Sequence, residues 1–425
     1  MWQLAVFASM VAGPHYWGQW THESVATAEF PGDSLGIACV AVRPDGQAVH
    51  AVYERWHGQE RATRELQWSV RDTTQWSESR LLCDHTPYDR RRQGRTQFLP
   101  SLDLDSSGSP HVSYRRRCRQ GEDAGCYDWT YNVVAHAELK GVPEFAWSDT
   151  TVAGLVIDQG SSSLRVDSQD RVHVSFRWKY TGDDDIGYNR RVDGQWDTPC
   201  TVMPFPLPQE HGRLALDPTG RPHIVATSTL QDSVFKRLAF AAPAPKDSPG
   251  GCDFGDYKLH ADDVVTLPIQ EAARQLDHAA IAIGGPEQHP NRVHIVSNAN
   301  AQDGRHGLVY TWNDNPGGPG PGGKGRTAWH TRTLVRDGMH PSVAVDREGQ
   351  LWLAYQGRSN RQAPFRVYVM HGLGDDWSRP VEVDPSPGSQ KIEWADPAVA
   401  IDGSGRVHVV YNVDHVEVRH AWIDP

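Results

Sequence analysis

The stretch "HPSVAVDREGQLWLAY", residues 340–355, decides the fold because the chain repeats it. It has a short strand, a tight turn built on Asp and Gly, and a second strand of alternating apolar residues, which is the signature of a β-hairpin. Further copies stand at residues 99–114, 161–176, 211–226 and 396–411, and looser ones at 37–53 and 278–297. A hairpin that recurs at this spacing indicates a repeat architecture.

Two more strands follow almost every hairpin. The third strand is rich in aromatic residues, as in "DIGYNRRV", and the fourth usually opens with Trp. The residues that open fourth strands are Trp76, Trp147, Trp196, Trp329 and Trp377, with Tyr257 in that place after the copy at 211–226. Four antiparallel strands per unit make the blade of a β-propeller. We therefore predict an all-β fold, a single seven-bladed β-propeller over residues 1–425.

The last copy tests this prediction, because the chain supplies only a third strand after it. The missing strand stands at the other end of the sequence, where "WTHESVATA", from Trp20, has the pattern of a fourth strand but precedes every first strand. We predict that an N-terminal strand at about residues 16–28 pairs with the C-terminal blade at 395–425. This pairing closes the ring and removes the exposed edges of an open array.

The net charge of −11 argues against binding to nucleic acid, which requires a broad basic surface. No stretch approaches the roughly 20 apolar residues of a membrane span, so we predict no membrane partner, and we expect a monomer. The first residues, "MWQLAVFASMVAG", resemble the apolar core of a secretion signal but lack a preceding Lys or Arg. We interpret them as part of the folded chain or as the start of a mature chain.

The six cysteines leave the redox compartment open. Cys118 and Cys126 flank the short loop "RQGEDAG", which predicts a hairpin disulfide and a location outside the cell or in the periplasm. The alternative is six separate reduced thiols.

Most of the 21 histidines need a structural explanation. One set occupies the same place in the second strand of nearly every copy: His50, His111, His173, His223, His294 and His408. A residue repeated in this way serves the packing of the blade, and we predict that it hydrogen bonds to a neighbouring turn.

The residue at the start of the first strand behaves differently, and we call this place the head position. Counting back nine residues from the turn Gly or its equivalent, and matching the pattern for the fifth copy, gives Ile37, Leu99, Ser161, His211, His278, His340 and Asp396. The first strand is the innermost one of a blade, and it begins on the face where the loops converge on the axis. Consecutive blades therefore direct three histidines and one aspartate at one volume.

Three interpretations fit this group of residues. His211, His278, His340 and Asp396 could bind one divalent transition metal, which takes neutral imidazole nitrogens. Alternatively His211, His278 and His340, together with Tyr88, are catalytic acids and bases. In the third, structural interpretation, the histidines bond to ordered water and nearby loops. The carboxylates that stand beside them in sequence and could orient them are Glu210, Asp277 and Glu393.

Loops on the same face concentrate cationic residues in an acidic protein. The candidate substrate-binding residues are His85, Arg95, Arg115, Arg116, Arg177 and Arg358. Guanidinium groups bind carboxylate or sulfate bidentately, which predicts an anionic substrate, whereas the alternative is solvated surface charge. The Gly-rich stretch "NPGGPGPGGKGR" (315–326) has no helix after it that could seat a phosphate, so we predict no nucleotide cofactor.

The repeats resemble the BNR or Asp-box-like propellers of sialidases and of polysaccharide-acting families, including ulvan lyases and related rhamnosidases. In "VDREGQLW" the Asp stands three residues before the Gly, one more than in the Asp-box. The resemblance implies a carbohydrate substrate and a lyase or hydrolase activity. Elimination from a uronate is one reaction that fits it.

We therefore expect an enzyme with one site at the mouth of the propeller channel, acting on an anionic oligosaccharide or small molecule. A metalloenzyme is the first alternative, and a lectin or protein-binding scaffold is the second. A lectin should present several equivalent sites, so the variation at the head position favours a single asymmetric one.

Overall fold

The computed structural model describes residues 19–30, 33–57, 63–72, 74–85, 100–117, 132–140, 146–156, 162–178, 185–203, 209–229, 236–244, 252–255, 257–265, 273–301, 306–314, 329–359, 362–384 and 396–424. All regular structure in this part of the chain is β-strand, arranged as a seven-bladed propeller, which confirms the predicted fold class. The described residues include no helix that is long and apolar enough to cross a membrane.

The first strand in the sequence, β1 (Thr21–Thr27), belongs to the last blade. Blade 1 is β2 (Ser34–Val42), β3 (Val49–His57), β4 (Thr63–Arg71) and β5 (Arg80–His85). Blade 2 is β6 (Ser101–Leu104), β7 (Pro110–Arg117), β8 (Asn132–Lys140) and β9 (Ala146–Val156). Blade 3 is β10 (Ser162–Val166), β11 (Val172–Trp178), β12 (Asp185–Val192), β13 (Gln195–Trp196) and β14 (Cys200–Met203).

The next three blades follow the same order. Blade 4 is β15 (Gln209–Leu216), β16 (Pro222–Thr229), β17 (Lys236–Ala244), β18 (Cys252–Asp253) and β19 (Lys258–Val265). Blade 5 is β20 (Ala273–Ile283), β21 (Val293–Ala301), β22 (His306–Asn313) and β23 (His330–Val335). Blade 6 is β24 (Gly338–Val345), β25 (Leu351–Gly357), β26 (Arg366–Leu373), β27 (Asp376–Trp377) and β28 (Val381–Glu382).

Blade 7 joins the two ends of the chain. It contains β29 (Ala398–Ile401), β30 (Val407–Val413), β31 (Glu417–Ile423) and, as its outer strand, β1. Strands β1 and β31 pair antiparallel from Thr21 opposite Trp422 to Thr27 opposite Glu417. Trp20 packs against the apolar core of this blade, as the fourth-strand pattern predicts. The predicted closure of the ring is confirmed.

The turn between the first two strands is held by its Asp, as blade 3 shows. Asp167 accepts hydrogen bonds from the backbone amides of Gln169 and Arg171, both at 2.9 Å. The Nε2 atom of His173 lies 3.2 Å from the same carboxylate. The repeated histidine therefore ties the second strand to its own turn.

The same contact recurs around the ring. The distances from His Nε2 to the turn carboxylate are 3.3 Å for His111–Asp105, 3.5 Å for His223–Asp217 and 3.5 Å for His408–Asp402. His294 contacts the Gly284 carbonyl at 2.7 Å instead. The turn prediction is confirmed for these histidines except His223, which lies beside its turn carboxylate without a hydrogen bond from either ring nitrogen to a described residue. His50 differs: its turn has Arg43 at the Asp position, and His50 Nδ1 accepts from Trp68 Nε1 at 3.3 Å.

Neighbouring blades are also joined by serines on the first strands. The hydroxyl oxygens of Ser101, Ser163 and Ser342 each accept a backbone amide of the next blade's first strand, at 3.0 to 3.1 Å. These bonds fix the spacing of the inner strands around the axis.

A disulfide between Cys200 and Cys252 links blade 3 to blade 4, so the alternative of six reduced thiols is wrong. These residues are 52 positions apart, and nothing in their sequence spacing marks them as partners. The predicted pair, Cys118 and Cys126, lies outside the described residues.

Candidate functional site

The first strands enclose a cavity of about 340 Å³ on the propeller axis. The residue two places after the head position lines this cavity in every blade. These residues are Cys39, Ser101, Ser163, Arg213, Ala280, Ser342 and Ala398. Because most of them are small, the inner strands leave space at the centre. The cavity is therefore the concave site that the architecture provides.

Local backbone distortions direct the head residues into this space. Each first strand of blades 5 and 6 has an irregular register at its head, between Asp277 and Ala279 and between Met339 and Ser342. His278, His340 and Asp396 have φ angles of 46°, 54° and 35°, a left-handed conformation that costs free energy in residues other than Gly. Strain of this kind, in the same place on three blades, is typical of functional sites.

The head residues of blades 5, 6 and 7 meet in the cavity. His340 Nδ1 contacts the Asp396 carboxylate, and the His278 ring stacks on the His340 ring with a 4.8 Å centroid distance and 14° between planes. Burial disfavours ionisation of Asp396, but His340, His278 and Arg213 outweigh it, so the pKa of Asp396 lies below its ordinary value. Asp396 is therefore a carboxylate that orients the imidazole of His340.

Asn298 holds the backbone of His340 in this arrangement. It stands near the end of β21 in blade 5, it is buried, and its Oδ1 accepts the backbone amide of His340 at 3.0 Å. This bond gives the His340 amide, at the register irregularity of β24, an acceptor from the neighbouring blade. Asn298 was not predicted from the sequence, although an Asn four residues after the repeated histidine recurs at Asn412.

Two arginines in the cavity were also missed. Arg213 lies two places after the head of blade 4, and Arg165 lies four places after the head of blade 3. Burial and the charge of Arg165 lower the pKa of Arg213, which places the two cations in each other's field. Aligning the repeats would have found both, because almost every other blade has Ala, Ser or Cys in these two places.

Burial also acts on two further groups near the arginines. Burial raises the pKa of the Cys39 thiol to about 12 despite the arginines. Burial also raises the pKa of Asp103, against the opposing effect of Arg165. The cavity therefore has a cationic side at blades 3 and 4 and a His–Asp side at blades 5 to 7.

Several predicted site residues lie partly or wholly outside the described residues. The backbones of His211, Glu210, Asp277 and His85 lie in strands, but their side chains are outside the described part of the protein, as are Tyr88, Arg95 and Glu393 altogether. Their roles stay predictions.

The four remaining arginines stand near the ends of second strands, as expected, but none is among the described residues that line the cavity. Arg115 and Arg116 are buried, and Arg116 donates to the Thr151 hydroxyl at 3.3 Å. Arg177 is 9% exposed. Arg358 pairs with Asp337 at 3.3 Å. Their predicted role in substrate binding stays a prediction.

The structure brings together three of the four predicted metal ligands. Within the described residues, no group of three or more His, Cys, Asp or Glu side chains is placed to share a metal ion. The lone pairs of imidazole nitrogens lie in the ring plane, so the stacked rings of His278 and His340 direct them along nearly parallel lines. These two rings do not converge on one ion in this arrangement, and a metal site that includes His211 stays a prediction.

Comparison with known proteins identifies the fold. No protein-family model and no curated protein matches the sequence. Among solved structures, the polysaccharide lyase Uly1 is 14% identical with a TM-score of 0.53, over 92% of this chain and 90% of that one. A protein of unknown function from Dyadobacter fermentans is 11% identical with a TM-score of 0.50, over 93% and 100%. An α-L-arabinanase from Penicillium chrysogenum is 9% identical with a TM-score of 0.49, over 95% and 98%.

Proposed function

We propose that the protein is a carbohydrate-active enzyme whose single site is the axial cavity, and that it cleaves an anionic glycan by β-elimination from a uronate. The observation that carries this proposal is the contact of His340 with Asp396 beside His278, three groups from separate blades, in the axial cavity. Uly1, which shares the fold, is a polysaccharide lyase, and this supports the choice of reaction class.

His340 is the proposed base. Asp396 holds its Nδ1 atom and stabilises the imidazolium that forms, and Nε2 is the nitrogen that we assign to proton transfer. In the reaction Nε2 removes the proton from the carbon next to the uronate carboxylate. The electron pair forms a carbon–carbon double bond, and the glycosidic oxygen leaves with a proton from an acid. His211, His278 and Tyr88 are the candidates for that acid.

The test uses purified protein and a panel of uronate polysaccharides, with ultraviolet absorbance of the unsaturated product and new reducing ends measured in parallel. We expect both signals. Reducing ends without absorbance would mean hydrolysis instead of elimination. Binding of a glycan without either signal would mean a binding module and would contradict the proposal.

Variants locate the activity. We expect His340→Ala and Asp396→Asn to lower kcat at least about 100-fold, the usual scale for losing an acid–base catalyst or its orienting group. His330→Ala is the control, because His330 is exposed at the start of outer strand β23. Full activity in Asp396→Asn would exclude the proposed His–Asp mechanism.

We also propose that the protein functions in an oxidising compartment, outside the cell or in the periplasm. The Cys200–Cys252 disulfide supports this, because disulfides persist in such compartments and are rare in the cytosol. Alkylation of free thiols in freshly lysed cells and in the culture medium, followed by mass spectrometry, would show where the bond forms.

A further inference from the structure

Arg165 and Arg213 are exceptions at two places where the repeats otherwise keep the channel lining small. Two places after the head position, every blade except blade 4 has Cys, Ser or Ala. Four places after it, the residues are Ala41, Asp103, Arg165, Ala215, Ala282, Ala344 and Ala400. Of this second set, Arg165 alone is among the described residues that line the cavity. Neighbouring blades thus place two guanidinium groups into one enclosed space.

No described carboxylate forms an ion pair with these arginines, although the charge of Asp396 acts to raise the pKa of Arg213. The guanidinium group of Arg213 makes no hydrogen bond or ion pair with any residue that the structure describes, and the side chain of Arg165 donates to the Leu164 carbonyl at 2.7 Å. The oxygens of Asp103 accept the backbone amides of Leu104 and Val166 at 3.0 and 2.9 Å. Asp396 is engaged by His340 on the other side of the cavity. Positive charge is therefore left for a ligand.

We propose that Arg165 and Arg213 form an oxyanion-binding subsite that receives a carboxylate or sulfate group of the glycan. Guanidinium groups bind both oxyanions bidentately, and the enclosed cavity strengthens the attraction. The inference rests on the proposed function and adds an orientation. The charged group of the substrate points to blades 3 and 4, and the bond that breaks faces His340 from blades 5 to 7.

The experiment measures binding without turnover. Isothermal titration calorimetry at low ionic strength uses sodium sulfate, sodium glucuronate and uncharged methyl glucoside as probes. The proteins are the wild type, Arg213→Gln, Arg165→Gln and Arg213→Lys. Arg379→Gln is the matched control, because Arg379 is exposed between β27 and β28. Thermal unfolding of each variant shows that it is folded.

We expect at least one of the two anions to bind the wild type and the control equally, and methyl glucoside to bind neither. Each Arg→Gln variant should weaken anion binding about tenfold or more. Arg213→Lys should have an intermediate affinity, because Lys keeps the positive charge but lacks the planar, bidentate donors of a guanidinium group. The preferred anion identifies the source as sulfate ester or uronate. Absence of anion binding, equal binding of methyl glucoside, or unchanged binding in both Arg→Gln variants would overturn the subsite.

Binding and turnover separate the two proposals. Arginine-dependent anion binding without cleavage of any glycan would preserve the subsite and contradict the elimination reaction. If both Arg→Gln variants leave cleavage unchanged, the elimination reaction would be preserved and the subsite contradicted.

Discussion

Asn298 in blade 5 accepts the backbone amide of His340 in blade 6 and so holds the head of that blade in its left-handed conformation. Asn412 has the equivalent place in blade 7, where its Nδ2 donates to the Leu35 carbonyl of blade 1 at 2.8 Å. A buried amide at the end of a second strand thus positions the irregular start of the next blade. The residue that Asn298 of blade 5 positions is His340 of blade 6, the proposed base.

Removing Asn298 should affect catalysis as well as stability. Asn298→Ala leaves the His340 amide without its acceptor, so we expect a loss of about 1–3 kcal/mol in the free energy of unfolding and a clear drop in kcat. Asn412→Ala is the matched control, with a similar stability loss and little change in kcat. Chemical denaturation and steady-state kinetics measure the two effects. Equal effects of both variants on kcat would argue that Asn298 has no special role.

Acid should destabilise the propeller between pH 6.5 and 4. Burial lowers the pKa of His50, His294 and His408 to about 4, whereas they titrate near 6.5 when unfolded. Between these values the unfolded chain binds more protons, so stability falls as the pH falls, by on the order of 3 kcal/mol per histidine. Thermal unfolding from pH 7.5 to 4.5 measures this decrease.

One variant isolates the contribution of His408, which faces His420, Asp402 and Arg406. His408→Gln cannot take up the proton, so its stability should depend less on pH in this range, although it is less stable at pH 7.5. An unchanged pH dependence would contradict the assignment of the acid sensitivity to this histidine.

The turn Asp should be among the most sensitive positions of a blade. Asp167→Ala removes the acceptor for two turn amides and for the side chains of Arg171 and His173, so we expect a loss of about 2–4 kcal/mol in unfolding free energy. Asp45→Ala, at the exposed turn of blade 1, is the comparison and should cost less than about 1 kcal/mol. Urea denaturation compares them, and equal losses would refute the ranking.

The disulfide between blades 3 and 4 should stabilise the native protein. We expect Cys200→Ala/Cys252→Ala to lose about 2–4 kcal/mol, because the bond closes a long loop and restricts the unfolded chain. A reductant should lower the Tm of the wild type and leave the Tm of the double variant almost unchanged. An equal decrease in the Tm of both proteins would mean that the reductant acts on a bond other than Cys200–Cys252.

Metal removal tests the alternative chemistry. Because the stacked imidazoles of His278 and His340 do not converge on one ion, we expect dialysis against EDTA to leave Tm and kcat unchanged. One equivalent of transition metal in the wild type, lost in His340→Ala, would favour the predicted metal site and contradict the acid–base mechanism.

The sequence by itself determined the propeller, its closure and the structural role of the repeated histidines. Each depends on a local pattern, a hairpin whose turn has Asp in most blades, that recurs around the ring and so can be read by aligning the chain with itself. The head position was accessible for the same reason, since a repeated frame makes His278, His340 and Asp396 conspicuous.

The tertiary structure decided which side chains share the cavity. Alignment of the repeats marks Arg165 and Arg213 as exceptions, but only the structure shows that the two share one cavity. Likewise, Asn298 acts on the blade after its own, and Cys200 meets Cys252 across a blade boundary. These contacts depend on how far each strand is rotated and shifted around the axis. Packing between blades sets that geometry, and no local sequence pattern encodes it.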